Sequence, residues 1–135
     1  MLLIAFCLSM GFYGNTSAAE GIKWRSYEEG RVLSKAEKKK VFLHFYADWC
    51  VFCKKMAKET FQNPAVVSYL NNHFIPVRVD TDRNPATAMK YGVTGLPSTW
   101  FLTDMGEAIG TVPGFIPPDT LLSMLKEVNG INTGS

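Results

Sequence analysis

The chain has 135 residues, 47% of them hydrophobic and 19% charged, a balance that fits one globular domain and excludes a low-complexity polypeptide. A formal net charge of +2 gives no electrostatic case for a nucleic-acid or acidic-membrane partner. Of three cysteines, Cys7, Cys50 and Cys53, the last two form a CxxC pair, which is either a redox centre or half of a metal site.

Residues 2–13 are apolar but too few to span a bilayer, which takes roughly 20. They suit the core of a signal peptide, with Ser17-Ala18-Ala19 as small residues for cleavage and Glu20 as the first mature residue. No Lys or Arg precedes this core, so the positive flank is missing, and a buried N-terminal element is the other reading. The expected division is a signal peptide over 1–19 and a single domain over 20–135. Removal of the leader takes Cys7 with it and leaves only the CxxC.

Residues 24–40 read as a helix with Ser26 as N-cap, Glu28 and Glu29 in the first turn, and Tyr27, Leu33 and Ala36 as the buried face. Lys35 and Lys38 to Lys40 complement its C-terminal dipole. The run from Val41 to Ala47 is almost wholly apolar, as a central strand covered on both faces would be. It leads into Asp48-Trp49-Cys50-Val51-Phe52-Cys53-Lys54, a strand-to-helix junction. Cys50 falls at the open end and Cys53 one turn inside, so the two sulfurs can meet. The helix-start N–H groups and dipole stabilise a thiolate there.

The helix continues through Met56 and Ala57 to Phe61, and Asn63-Pro64 restarts it ahead of Val66, Val67 and Leu70. Residues 74–80 alternate as a strand, and Asn84-Pro85 cap a short helix that ends at Gly92. Gly95-Leu96-Pro97 opens a strand over 98–102. A turn at 104–107 returns it as a strand over 108–112. Asp119 or Thr120 starts a last helix with Leu121, Leu122, Leu125 and Val128 on its apolar side, and the tail from Asn129 is polar. The fold class is α/β, a mixed sheet with helices on both faces.

From Trp24 to Val128 the chain resembles the thioredoxin superfamily. The features are the apolar strand ending in Ala47-Asp48-Trp49-Cys50, the CxxC, Tyr91-Gly92-Val93, Gly95-Leu96-Pro97 and the Gly106 hairpin. Asp48 to Lys54, Thr60-Phe61 and Pro64 are most similar to secreted bacterial members, in particular the C-terminal domain of DsbD-type thiol:disulfide interchange proteins. The resemblance implies a thioredoxin fold with a sheet of four or five strands. It implies an exported thiol–disulfide oxidoreductase with Cys50 as nucleophile and Cys53 as resolving thiol. Pro97 takes the place of the family's cis-proline, with the backbone of Leu96 open to a substrate strand, and Trp49 and Phe52 form an apolar contact for it.

His44 stands where thioredoxins carry a buried acid. It is either a base for Cys53 with a pKa nearer working pH or a packed core histidine. Asp48 opposes a Cys50 thiolate, and Lys54 and Lys55 partly offset it.

The implied partners are disulfide-containing protein substrates and a membrane electron-donor reductase. The expected setting is periplasmic or otherwise extracytoplasmic, the expected state a monomer. No cofactor and no metal is expected, since structural zinc takes four ligands. The competing readings are a disulfide oxidase or isomerase, and a non-enzymatic adaptor holding Cu(I) through Cys50, Cys53 and Met56.

Overall fold

The computed structural model describes residues 20–134. The expected signal peptide over 1–19, with Cys7, lies outside the described residues. The elements are α1 (Tyr27–Glu37), β1 (Lys40–Tyr46), α2 (Val51–Glu59), α3 (Pro64–His73), β2 (Phe74–Asp80), α4 (Pro85–Lys90), β3 (Ser98–Leu102), β4 (Ala108–Pro113) and α5 (Pro118–Asn129). This is the thioredoxin fold.

One sheet of four strands runs in the order β2-β1-β3-β4. β1 pairs parallel with β2 and antiparallel with β3, and β3 pairs antiparallel with β4. β1 is apolar because both its faces are covered. Phe42 packs with Met56, Phe61, Leu70, Leu121 and Leu125, beneath α2, α3 and α5. Val41, Leu43 and Phe45 pack with Val77, Val79 and Ala88, beneath α1 and α4. Each such side chain contributes about 1.5–3 kcal/mol on burial, so β1 anchors both layers.

The caps follow the sequence at two helices. Ser26 Oγ accepts from Glu29 N–H at 3.2 Å. Asn63 Oδ1 accepts from Ala65 N–H at 3.0 Å and Val66 N–H at 3.2 Å.

Four expectations need correction. α1 spans 27–37, not 24–40. Trp24 and Arg25 instead form a short strap on the outer edge of β2, with Arg25 N–H on Pro76 O at 2.9 Å and Arg78 N–H on Arg25 O at 3.2 Å. Ala36 is exposed. The buried residues of α1 are Gly30 and Ser34, and a Cβ on Gly30 would collide with Val77 of β2. Asn84 does not cap α4 with its side chain, because its Nδ2 donates to Asp80 O at 3.3 Å. α5 starts at Pro118, where a proline's missing N–H costs nothing at the first helical position.

Candidate active site

β1 ends at Tyr46, Ala47 is buried, and Asp48 and Trp49 turn through solvent before α2 begins. Cys50 is the N-cap of α2, in extended backbone, and its Sγ accepts from Cys53 N–H at 3.2 Å. Cys50 and Cys53 are joined as a disulfide, their Cα atoms 5.2 Å apart. The Cys50 sulfur thus sits at the start of α2, where the N–H groups and the helix dipole stabilise a thiolate.

Little of either cysteine reaches solvent: Cys50 is 5% and Cys53 4% exposed. Around them the surface is apolar and open, with Trp49 67%, Val51 74% and Phe52 59% exposed. Leu96 packs against the cysteines together with Ala47 and Tyr46, and the Leu96–Pro97 peptide is cis. Among the described residues the Leu96 N–H and C=O take no backbone partner. Trp49 is braced from the side, its Nε1 donating to Asp82 Oδ2 at 2.9 Å. Asp82 is itself held by its N–H on Asp80 Oδ1 at 2.9 Å.

Behind Cys53 lies a cavity of about 190 Å³, lined among others by His44, Tyr46, Asp48, Lys54, Phe61 and Arg78. His44 is buried on β1, with Nδ1 3.3 Å from Thr99 Oγ1. Its ring stacks parallel to Phe42 at 6.4 Å and meets Phe61 edge-on at 4.8 Å. Burial, reinforced by the Arg78 charge, pushes its pKa down to about 3. The imidazole is therefore neutral, as burial dictates, but its pKa lies far below working pH and not near it. Moving a proton to it from a thiol of ordinary acidity would cost roughly 7 kcal/mol.

Arg78 sits on β2 directly beside His44 in the parallel register. Its guanidinium lies 5.0 Å from the Tyr46 ring and 5.5 Å from the Trp24 ring. Among the described residues it forms no salt bridge. Lys55, expected to offset Asp48, lies over the Phe115 ring at 4.6 Å.

Among the described residues no cluster of three His, Cys, Asp or Glu side chains is placed to hold a metal ion. Met56, the third donor of the copper reading, is buried in the Phe42 cluster, whereas the cysteines belong to another.

The expected residues thus come together: Cys50, Cys53 and Pro97 buried, Leu96 half-buried against the cysteines, Trp49 and Phe52 exposed beside them, and His44 behind Cys53. Three residues were not anticipated from the sequence. They are Arg78, Asp82 and Thr99. Arg78 carried a signal, a lone charge inside the apolar alternation of β2. The other two depend on which strands and loops become neighbours.

Residues 27–129 match the thioredoxin-like domain family. The chain is similar to the thiol:disulfide interchange protein DsbD of Vibrio vulnificus, 35% identical over 123 residues, which are 84% of this chain and 21% of that protein. Against DsbD of Actinobacillus pleuropneumoniae it is 35% identical over 102 residues, 71% of this chain and 17% of that protein. The chain therefore spans about a fifth of the length of the curated relatives it matches.

Among solved structures it is similar to a thioredoxin from Thermus thermophilus, with TM-score 0.73 and 26% identity over 81% of this chain and 88% of that one. The structure of DsbH oxidoreductase gives TM-score 0.72 and 25% identity over 85% and 89%. The C-terminal domain of Neisseria meningitidis DsbD, in its oxidised form, gives TM-score 0.63 and 27% identity over 74% and 90%.

Proposed function

The chain belongs to the thioredoxin-like domain family, and from that premise we propose that it is a thiol–disulfide oxidoreductase that reduces protein disulfides through Cys50 and Cys53. The observation that carries this reading is the placement of Cys50. It caps α2, is bonded to Cys53, and lies beside an unpaired Leu96 backbone and an apolar rim.

In the reduced protein the Cys50 thiolate attacks one sulfur of a substrate disulfide. The other substrate sulfur leaves with the electron pair and takes a proton from solvent. Cys53 then attacks Cys50 Sγ, the mixed disulfide breaks, and the second substrate sulfur leaves as a thiol. Two electrons pass to the substrate and the Cys50–Cys53 disulfide remains. A dithiol donor must restore it, and a membrane reductase is the proposed partner. A substrate chain lies across Leu96 and Pro97, pairing with the Leu96 backbone, and rests on Trp49 and Phe52.

His44 enters as a neutral wall of the cavity behind Cys53 and not as a store for its proton. The protein acts outside the cytoplasm and as a monomer in this reading. The apolar segment at 2–13 supports export. Among the described residues no helix is long and apolar enough to cross a membrane.

The test uses reduced protein and a disulfide-linked polypeptide such as insulin. Cys50→Ser should abolish reduction. Cys53→Ser should leave the first attack and accumulate a mixed disulfide on Cys50. Equal turnover by Cys50→Ser and the parent would overturn the proposal. The equilibrium potential against glutathione decides direction: a strongly oxidising couple would make the protein an oxidase or isomerase instead.

A further inference from the structure

We propose that Arg78 is a positioning residue for the second half of this reaction: its guanidinium, held over Tyr46 and Trp24 beside the cavity behind Cys53, stabilises the Cys53 thiolate that breaks the mixed disulfide. The inference rests on the dithiol reading and adds the group that makes its slower thiol reactive.

The problem it solves is set by burial. Cys53 is almost wholly buried, and desolvation raises a thiol's pKa. The resolving step nevertheless needs the thiolate. The titratable and charged groups that line this cavity with Cys53 are His44 and Tyr46 from β1, Asp48 from the turn, Lys54 from α2 and Arg78 from β2. His44 is neutral and a poor acceptor for the proton. Asp48 carries the wrong sign to favour a thiolate. Two cations remain. Lys54 and Arg78 both line the cavity and both reach solvent. Arg78 is fixed by two ring faces and, among the described residues, has no carboxylate to neutralise it.

Burial, the larger cause of the low His44 pKa, opposes a Cys53 thiolate as well, whereas the Arg78 charge, the lesser cause, favours loss of the Cys53 proton. The proton passes through the cavity to solvent. The Cys53 electron pair then forms the bond to Cys50 Sγ, and the substrate sulfur departs with the pair of the broken bond. Arg78 keeps its charge throughout, so its signature is a displaced Cys53 titration and not a new ionisation.

The test is made in the full chain carrying Cys7→Ser and Cys50→Ser, in which Cys53 is the only thiol. Its ionisation is followed by thiolate ultraviolet absorbance against pH. Arg78→Met, which keeps an apolar stem against the rings, should raise the Cys53 pKa, and Arg78→Lys should restore most of the parent value. In the chain with both active cysteines, Arg78→Met should slow release of the mixed disulfide about threefold to tenfold below the Cys53 pKa and spare the first attack by Cys50. A folded Arg78→Met protein whose titration superimposes on the parent would overturn the proposal. So would a shift caused by Lys54→Met and absent in Arg78→Met. The titration needs no substrate, so it is read independently of whether the protein reduces disulfides.

Discussion

Protonating His44 would place a cation between the rings of Phe42 and Phe61 and beside Arg78. In the unfolded chain nothing opposes that proton, and the pKa returns to 6.5 from about 3 in the fold. The unfolded state therefore binds the proton first as pH falls. The contribution to stability is whole above pH 6.5 and is lost progressively down to about pH 3, up to about 5 kcal/mol at the limit. His44→Gln should flatten this acid-side loss, as measured by urea unfolding from pH 7 to pH 4. A parent-like slope in the variant would contradict it. At the rim the expectation differs. Phe52→Ala should raise KM for a protein disulfide about tenfold and leave reaction with a small aromatic disulfide almost unchanged, because only the larger substrate covers the ring. Cys50 and Cys53 are legible in the sequence because their spacing is local, and Pro97 is legible only through the resemblance that Gly95-Leu96-Pro97 carries. Arg78 becomes a neighbour of His44 only through strand register, which no local pattern states.

Helix α1 shows what governs an element here. It approaches β2 through Gly30, which leaves room for Val77, while Ser34 Oγ donates to Asp104 O at 3.3 Å. Alanine is the better helix former by about 1 kcal/mol, but forcing its Cβ against Val77 costs about 1–3 kcal/mol. Gly30→Ala should therefore destabilise the fold by up to about 2 kcal/mol, and Val77→Ala in the same chain should recover part of the loss. Denaturant midpoints of the two single variants and the double variant check this. α1 is tied to α4 as well: the Tyr27 and Tyr91 hydroxyls share a hydrogen bond of 2.9 Å, and Lys90 Nζ donates to Tyr27 Oη at 3.1 Å. The strands β1, β2 and β3 and the Asn63-Pro64 start of α3 are readable from apolar runs and cap chemistry. The face of α1 is not, because a surface of Gly and Ser is invisible to hydrophobic periodicity and Ala36 only looks apolar. The start of α1 is missed for a related reason. Trp24 and Arg25 are held by backbone pairing to β2, and their side chains do not announce it.

At the scale of the molecule, the Cys50–Cys53 bond closes a very short loop and links only the first turn of α2 to its cap. The chain-entropy gain for so short a loop is about 2 kcal/mol. In a reductase the oxidised form should accordingly be the more stable toward unfolding, by about that amount, in paired urea titrations with and without excess dithiol. A more stable reduced form would mark the pair as oxidising, since oxidising dithiols owe their potential to a stabilised reduced state. The sheet's two edges differ as well. β4 is largely exposed along its outer side, whereas the strap of Trp24 and Arg25 occupies the outer edge of β2. That strap also supplies one of the two rings under Arg78. A protease or an expression boundary that cuts beyond Trp24 would leave both cysteines, all four strands and all five helices in place, and would still loosen the cation that faces Cys53. Two preparations of this protein trimmed on either side of Trp24 should then differ in the titration of Cys53 without differing in fold.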